Sequence, residues 1–325
     1  MVTDDLPRIG IAHLPTPLEL LPRLTAQLGG PELWVKRDDQ TGLATGGNKT
    51  RKLEFLIADA LEHKADTVIT CGAAQSNHAR QTAAAAVKFG LNAVLVLRGD
   101  ASSRLQGNLL LDRLLNAEIV WSGEASPQEQ MSVVADDLRA DGRHPYLVPY
   151  GGSNPVGASG YVAAMEELMI QSREEGHRFD TIVFATSSGG TQAGLVVGAR
   201  AFGYEGQILG ISVDPEASVL RSKLASLATS TAAHVDLSLG FEPEDFTVND
   251  DYLGGGYGVV GDLERDTLRT VARAEGLILD PVYTGRAFGG LLDLIRGGAF
   301  KPNEKVLFWH TGGTAGLFGY GEDAL

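Results

Sequence analysis

Cysteine is almost missing from this chain. Cys71 is the single one in 325 residues, so no internal disulfide can form. It lies in the apolar run 66–72, where a buried strand thiol is a plainer reading than a reactive one. Positive charge is also scarce: 27 Lys and Arg against 41 Asp and Glu leave a formal net charge of −14. That balance argues against nucleic acid or an anionic membrane as partner, since both want a basic face. No segment approaches the roughly 20 apolar residues of a membrane span. The opening Met1-Val2-Thr3-Asp4-Asp5 is acidic where a signal peptide is basic and then apolar, so a cytoplasmic protein is expected. The seven histidines show no H-E-x-x-H spacing, and no cysteine pair completes a zinc site, so no metal is expected.

What is present is ordinary globular material, 43% apolar and 21% charged. The length suits one large α/β unit or two closely packed domains. From Lys49 onward, helical and strand patterns alternate. Leu53, Leu56, Ile57, Ala60 and Leu61 mark one helix face. Strands are expected at 66–71, 92–97, 118–121 and 145–148, with helices at 76–89, 105–116 and 127–140. After the glycine-rich stretch 151–160 come a long helix, strands 181–185, 207–213 and 305–309, and helices 191–201, 262–275 and 286–296. The stretch 230–260 is hard to read. Continuous apolar strands between helices imply parallel sheets covered on both faces, hence two doubly wound α/β domains with a ligand cleft between them.

Three segments put glycine beside hydroxyl or amide residues at a strand end or helix start. In Thr45-Gly46-Gly47-Asn48-Lys49-Thr50-Arg51-Lys52, a lysine follows two glycines at a helix start, where a cation opposes the helix dipole. Gln75-Ser76-Asn77-His78 opens a helix at a sheet's carboxyl edge, where ligands of open α/β folds bind; Ser76 could also be a plain N-cap. Thr186-Ser187-Ser188-Gly189-Gly190-Thr191 is a phosphate cradle by composition, without the G-K-[ST] of a nucleotide loop. Gly256-Tyr257-Gly258-Val259-Val260-Gly261 fits G-x-G-x-x-G, but no clear strand precedes it, so a dinucleotide site there is rejected.

Together with Lys36-Arg37-Asp38-Asp39, Asp280-Pro281-Val282-Tyr283-Thr284-Gly285 and His310-Thr311-Gly312-Gly313, these segments resemble the tryptophan-synthase-β-like (fold type II) enzymes of pyridoxal 5′-phosphate, PLP. The match is to the D-cysteine desulfhydrase and 1-aminocyclopropane-1-carboxylate (ACC) deaminase branch, over nearly the whole chain. The resemblance implies a large PLP-binding domain, 1–48 with 160–325, a small α/β domain, 49–159, and a homodimer. It implies that Lys49 holds PLP as a Schiff base. Lys52 would reach a cofactor phosphate cradled by Ser188, Gly189, Gly190 and Thr191, and Asn77 would bond the cofactor's 3′ oxygen. Ser76, Asn77 and His78 would hold the substrate carboxylate, Tyr257 and Tyr283 would face the substrate, and Thr284 and Thr311 would lie near the pyridine nitrogen. Lys49, Ser76, Tyr257 and Tyr283 would be the catalytic set, with Lys49 or Ser76 taking the Cα proton.

ACC deaminases carry a glutamate where this chain has Thr284, and a threonine cannot keep the pyridine nitrogen protonated as a carboxylate does. The expected activity is therefore β-elimination from D-cysteine to pyruvate, ammonia and hydrogen sulfide. L-cysteate sulfo-lyase and ACC deaminase are the alternatives within the family. Outside it, a PLP carrier without catalysis would not need Lys49, Ser76 and both tyrosines together, and a nicotinamide dehydrogenase would rest only on the rejected glycines.

Overall fold

The computed structural model describes residues 2–101 and 104–325. Strand β1 (Leu18–Leu20), helix α1 (Pro22–Leu28) and strand β2 (Glu32–Lys36) precede α2 (Lys49–Glu62). Next come β3 (Thr67–Ala73), α3 (Asn77–Lys88), β4 (Asn92–Arg98), α4 (Gly107–Leu114), β5 (Glu118–Trp121), α5 (Pro127–Ala140) and β6 (Pro145–Leu147). Helix α6 (Pro155–Glu174) leads to β7 (Thr181–Thr186), α7 (Gly190–Phe202), β8 (Gln207–Ser212), α8 (Ala217–His234) and β9 (Thr247–Asn249). The chain closes with α9 (Asp262–Glu275), α10 (Thr284–Arg296), β10 (Lys305–Trp309) and α11 (Thr314–Tyr320).

Two sheets result. One has six strands in the order β1-β2-β10-β7-β8-β9, and the other has four, β5-β4-β3-β6. Every pairing is parallel except β1 with β2. Strand β7 (TIVFAT) is buried at all six positions, as a parallel strand covered on both faces must be. Phe184 and Trp309 feed the core on one side of the large sheet, Val183 and Phe308 that on the other. Leu95 and Ile69 do the same on opposite faces of the small sheet. The first turns carry ordinary signals: Ser126 caps α5 ahead of Pro127, and Asn154 caps α6 ahead of Pro155.

Three segments depart from the sequence expectation. The N-terminal β1 and β2, joined by α1, belong to the large sheet, and α8 fills much of the stretch between β8 and β9. Helix α6 begins inside the glycine-rich stretch read as a loop, and Gly157 and Gly160 are helical. They are glycines because helices touch there: a Cβ on Gly160 would sit 2.4 Å from the Arg51 carbonyl oxygen of α2. One layer on, a Cβ on Gly194 of α7 would sit 2.3 Å from the Ala158 carbonyl oxygen of α6. Helices α2, α6 and α7 are stacked main chain to main chain.

Candidate active site

The carboxyl ends of β3, β7 and β10 open into the loops before α3, α7 and α11, the edge where open α/β folds bind ligands. The turn before α2 is drawn to the same edge. Asn48 N–H donates to the Thr311 carbonyl (2.9 Å), and Gly47 N–H donates to Thr41 Oγ1 (2.8 Å). Gly47 has φ +125°, and a Cβ on Gly312 would lie 2.6 Å from its Cα, so two main chains meet without side chains between them. The Arg80 guanidinium of α3 donates to the Ala44 (2.6 Å) and Gly46 (3.0 Å) carbonyls and fastens this turn.

The loops enclose about 620 Å³, partly open to solvent, lined among others by Lys49, Ser76, Asn77, His78, Ser188 and Tyr283. Lys49 is the first residue of α2, and its Nζ donates to Asn48 Oδ1 (3.1 Å). Burial lowers its pKa to about 8; the Asp280 carboxylate opposes this and Arg80 adds to it. A primary amine there is part-deprotonated near neutral pH, as a nucleophile or base requires.

One turn on, Lys52 is 1% exposed. Among the described residues its Nζ meets the Gly151 carbonyl (3.1 Å) and Ser153 Oγ (3.4 Å) and nothing else. Burial, with Lys49 and Lys223 nearby, holds its pKa well below the usual lysine value. Beside it Gly189 (φ +95°) is the N-cap of α7 and supplies no side-chain cap, so first-turn N–H groups face the loop. A Cβ on Gly190 would fall 2.8 Å from Lys52 Nζ and 2.7 Å from Ser153 Oγ. A buried amine with no carboxylate partner among the described residues, glycine-lined and next to a helix N-terminus, fits a phosphate. Ser153 joins the cradle through Ser188 Oγ (2.8 Å) and the Gly190 N–H (3.1 Å). Thr191 Oγ1 accepts from Asn48 Nδ2 (3.1 Å), which ties the cradle to the lysine turn.

On the opposite wall Ser76 is both an N-cap and a cavity residue: its Oγ accepts from Ala79 N–H (3.1 Å), which leaves the hydroxyl hydrogen free for the cavity. The first-turn N–H groups of α3 are available to a carboxylate. Thr70 donates its hydroxyl hydrogen to the Val148 carbonyl (2.9 Å), so His78 Nε2 is the donor in its 2.8 Å bond to Thr70 Oγ1. Burial, with Lys49 and Lys52 near, keeps this imidazole neutral. Its Nδ1 is then an acceptor, so the His78 side chain brings no proton to a carboxylate and its backbone N–H serves instead.

Tyr257 and Tyr283 meet hydroxyl to hydroxyl at 2.5 Å, with rings 6.0 Å apart and near perpendicular. Burial raises both phenol pKa values, so both stay protonated. Tyr257 lies on an extended loop between β9 and α9. The buried Arg286 holds this loop by donating to the Gly256 (3.1 Å) and Val259 (2.8 Å) carbonyls. Thr311 lines the cavity. Thr284 does not: its hydroxyl donates to Asp280 Oδ1 (2.7 Å) and accepts from the Asp280 N–H (2.8 Å).

Of the expected site residues, Lys49, Ser76, Asn77, His78, Ser188, Gly189, Thr191, Tyr283 and Thr311 line one cavity. Lys52 and Gly190 back it, Tyr257 joins it through Tyr283, and Thr284 stands behind Asp280. Sequence reasoning missed Ser153, Tyr150 and the support of Asn77. Ser153 had a signal, since Gly151-Gly152-Ser153 repeats the glycine-plus-hydroxyl composition of the other loops. Tyr150 had none. It lines this cavity and also an outer recess that holds Arg98, Asp214 and Tyr257.

The model of the family described as "Pyridoxal-phosphate dependent enzyme" matches residues 9–312. A putative ACC deaminase of Pyrococcus abyssi is 44% identical, over 98% of this chain and 95% of its own. A D-cysteine desulfhydrase of Klebsiella pneumoniae is 42% identical, over 97% and 96%. A crystal structure described as an ACC deaminase homologue superposes with TM-score 0.91 and 42% identity, covering 99% of this chain and 97% of that one. The chain therefore belongs to the pyridoxal-phosphate-dependent enzymes of fold type II, in the family that holds the ACC deaminases and D-cysteine desulfhydrases.

Proposed function

We propose that this enzyme catalyses β-elimination from D-cysteine, which with water yields pyruvate, ammonia and hydrogen sulfide. The observation that carries the choice within the family is Thr284. It is fully buried, and its hydroxyl is spent on Asp280. Opening an unactivated cyclopropane should demand a carboxylate at that position, and expelling sulfide should not.

In this reading Lys49 binds the cofactor covalently, and Lys52, Ser188, Gly189, Gly190 and Thr191, joined by Ser153, hold its phosphate. PLP supplies the electron sink. The first-turn N–H groups of α3 and the Ser76 hydroxyl hold the substrate carboxylate. Lys49, once the substrate amine has freed it and with its lowered pKa, takes the Cα proton, and Ser76 on the opposite wall is the alternative base. The neutral phenols of Tyr257 and Tyr283 face the β-substituent and donate toward the departing sulfur. Residues 1–48 with 160–325 form the large unit and 49–159 the small one, the enzyme is a homodimer, and it works in the cytoplasm.

Arg98 in the outer recess favours a second reading. A cation near Tyr257 would help an anionic leaving group, and L-cysteate would release sulfite; Asp214 on the same wall works against it. The test is product release from D-cysteine, L-cysteine, L-cysteate and ACC under one set of conditions. Sulfide and pyruvate released fastest from D-cysteine support the main reading. Turnover of ACC alone overturns it, and sulfite from cysteate as the fastest reaction transfers it to the second.

A further inference from the structure

Behind Asn77 runs a hydrogen-bond chain that the proposed reaction does not use. Gln75 Nε2 donates to the Gln106 carbonyl (3.0 Å), and Gln75 Oε1 accepts from the Asn108 main-chain N–H (2.9 Å). Both partners are backbone groups whose polarity cannot reverse, so the Gln75 amide has one orientation. Asn108 is fully buried, and its Nδ2 faces the Gln75 carbonyl at 2.9 Å. A carbonyl only accepts, so this end of Asn108 must be the NH₂. The second hydrogen of that NH₂ goes to Asn77 Oδ1 at 2.8 Å. Asn77 Oδ1 is thereby committed, and its Nδ2 is the end left for the cavity that Asn77 lines. Gln106 Nε2 donates to the Gly319 carbonyl of α11 (2.6 Å), anchoring the chain to the helix after the large sheet's central strand.

We infer that Asn108 is a positioning residue that fixes which end of the Asn77 amide meets the cofactor. It makes Asn77 a donor toward the 3′ oxygen of PLP. The inference rests on the assignment of Asn77 in the proposed site. Without Asn108 the Asn77 amide is free to turn, and its carbonyl oxygen would then face an oxygen that carries negative charge.

The test uses the PLP-loaded enzyme and reads the cofactor, not turnover. Asn108→Leu keeps the branched outline of the side chain and removes both donors. Its PLP affinity should fall about 10- to 100-fold, the equivalent of one hydrogen bond to a charged group. The visible band of the bound cofactor should shift its pH midpoint, and Asn77→Ala should produce the same two changes. In Asn77→Ala/Asn108→Leu the second substitution should add nothing, because Asn108 acts only through Asn77. A folded Asn108→Leu with wild-type affinity and band overturns the inference. So does a double variant in which the two losses add. If Asn108→Leu does not fold, Asn108→Ser carries the same test, since one hydroxyl hydrogen cannot serve both Gln75 and Asn77. A wild-type protein whose visible band does not depend on Lys49 would instead sink the assignment of the site, a separate outcome.

Discussion

Arg51 and Lys52 are neighbours on α2 and almost equally buried, at 2% and 1% exposed, yet they keep opposite company. The Arg51 guanidinium donates to both oxygens of Asp38 (2.9 Å each), to both of Glu167 (2.9 and 3.0 Å) and to Thr16 Oγ1 (2.9 Å). Lys36 adds a second cation on Glu167 (2.5 Å), and the Tyr161 hydroxyl donates to Asp38 (2.6 Å). Two cations meet two carboxylates, so the cluster is closed. Burial works against the charge on Asp38 and Glu167, but Arg51 and Lys36 outweigh it and hold both below the usual carboxylate range. Lys52 has two neutral oxygens and no carboxylate among the described residues. A buried charge that is fully paired shapes the fold; one left unpaired, about 4.5 Å along the helix from Lys49, is placed for a ligand.

That contrast can be broken residue by residue. Lys49→Ala should cost the most, on the order of 10²–10⁴-fold in turnover from lost proton transfer alone, checked by pyruvate release. It should leave cofactor-free stability unharmed, since it removes a buried cation. Arg51→Met should do the reverse. It leaves two carboxylates to share one cation, Lys36, and should cost about 3–5 kcal/mol of stability, measured by urea unfolding.

A pH series sharpens the same line. The folded pKa of Lys49 lies near 8, below the ordinary lysine value of 10.5. The unfolded state therefore binds more protons between these values, and stability rises with pH there. Cofactor-free protein should gain up to about 3 kcal/mol from pH 8 to 10.5 through this group, and Lys49→Ala should flatten that rise. Lys52→Met should weaken PLP binding about 10- to 100-fold, the worth of charged hydrogen bonds, without destabilising the cofactor-free protein. The smallest effect concerns inorganic phosphate. At ten times its dissociation constant it should stabilise the cofactor-free wild type by about 1.4 kcal/mol in thermal melts and should do nothing for Lys52→Met.

Where one pattern ruled, the sequence was legible. Helices α5 and α9 and strands β5 and β10 lie where periodicity places them, because each turns one apolar stripe or run inward, β5 only partly buried. Strand β2 was hidden by its charge: Glu-Leu-Trp-Val-Lys reads as surface, but Lys36 is fully buried on Glu167. Helix α8 was hidden by hydroxyls. Ser222, Ser230 and Thr231 donate back to the carbonyls four residues earlier, so polar residues sit all round it without breaking it. In the site, short-range glycine and hydroxyl chemistry exposed the lysine turn and the cradle. What stayed dark is what depends on distant contacts: Tyr150, the hold of Arg286 on the Tyr257 loop, and the support of Asn77 by Asn108, 31 positions along the chain.

The glycine contacts among α2, α6 and α7 act as a gauge. Lys49 starts one helix of this stack and the phosphate cradle starts another, and Gly160 and Gly194 leave no side chain between the layers. Spacings set by interlocking side chains drift as those residues are exchanged over generations. A spacing set by the thickness of bare main chain has no adjustable part. Descendants of this sequence can therefore renew the apolar residues around the stack and still inherit one fixed reach between the Lys49 amine and the start of α7.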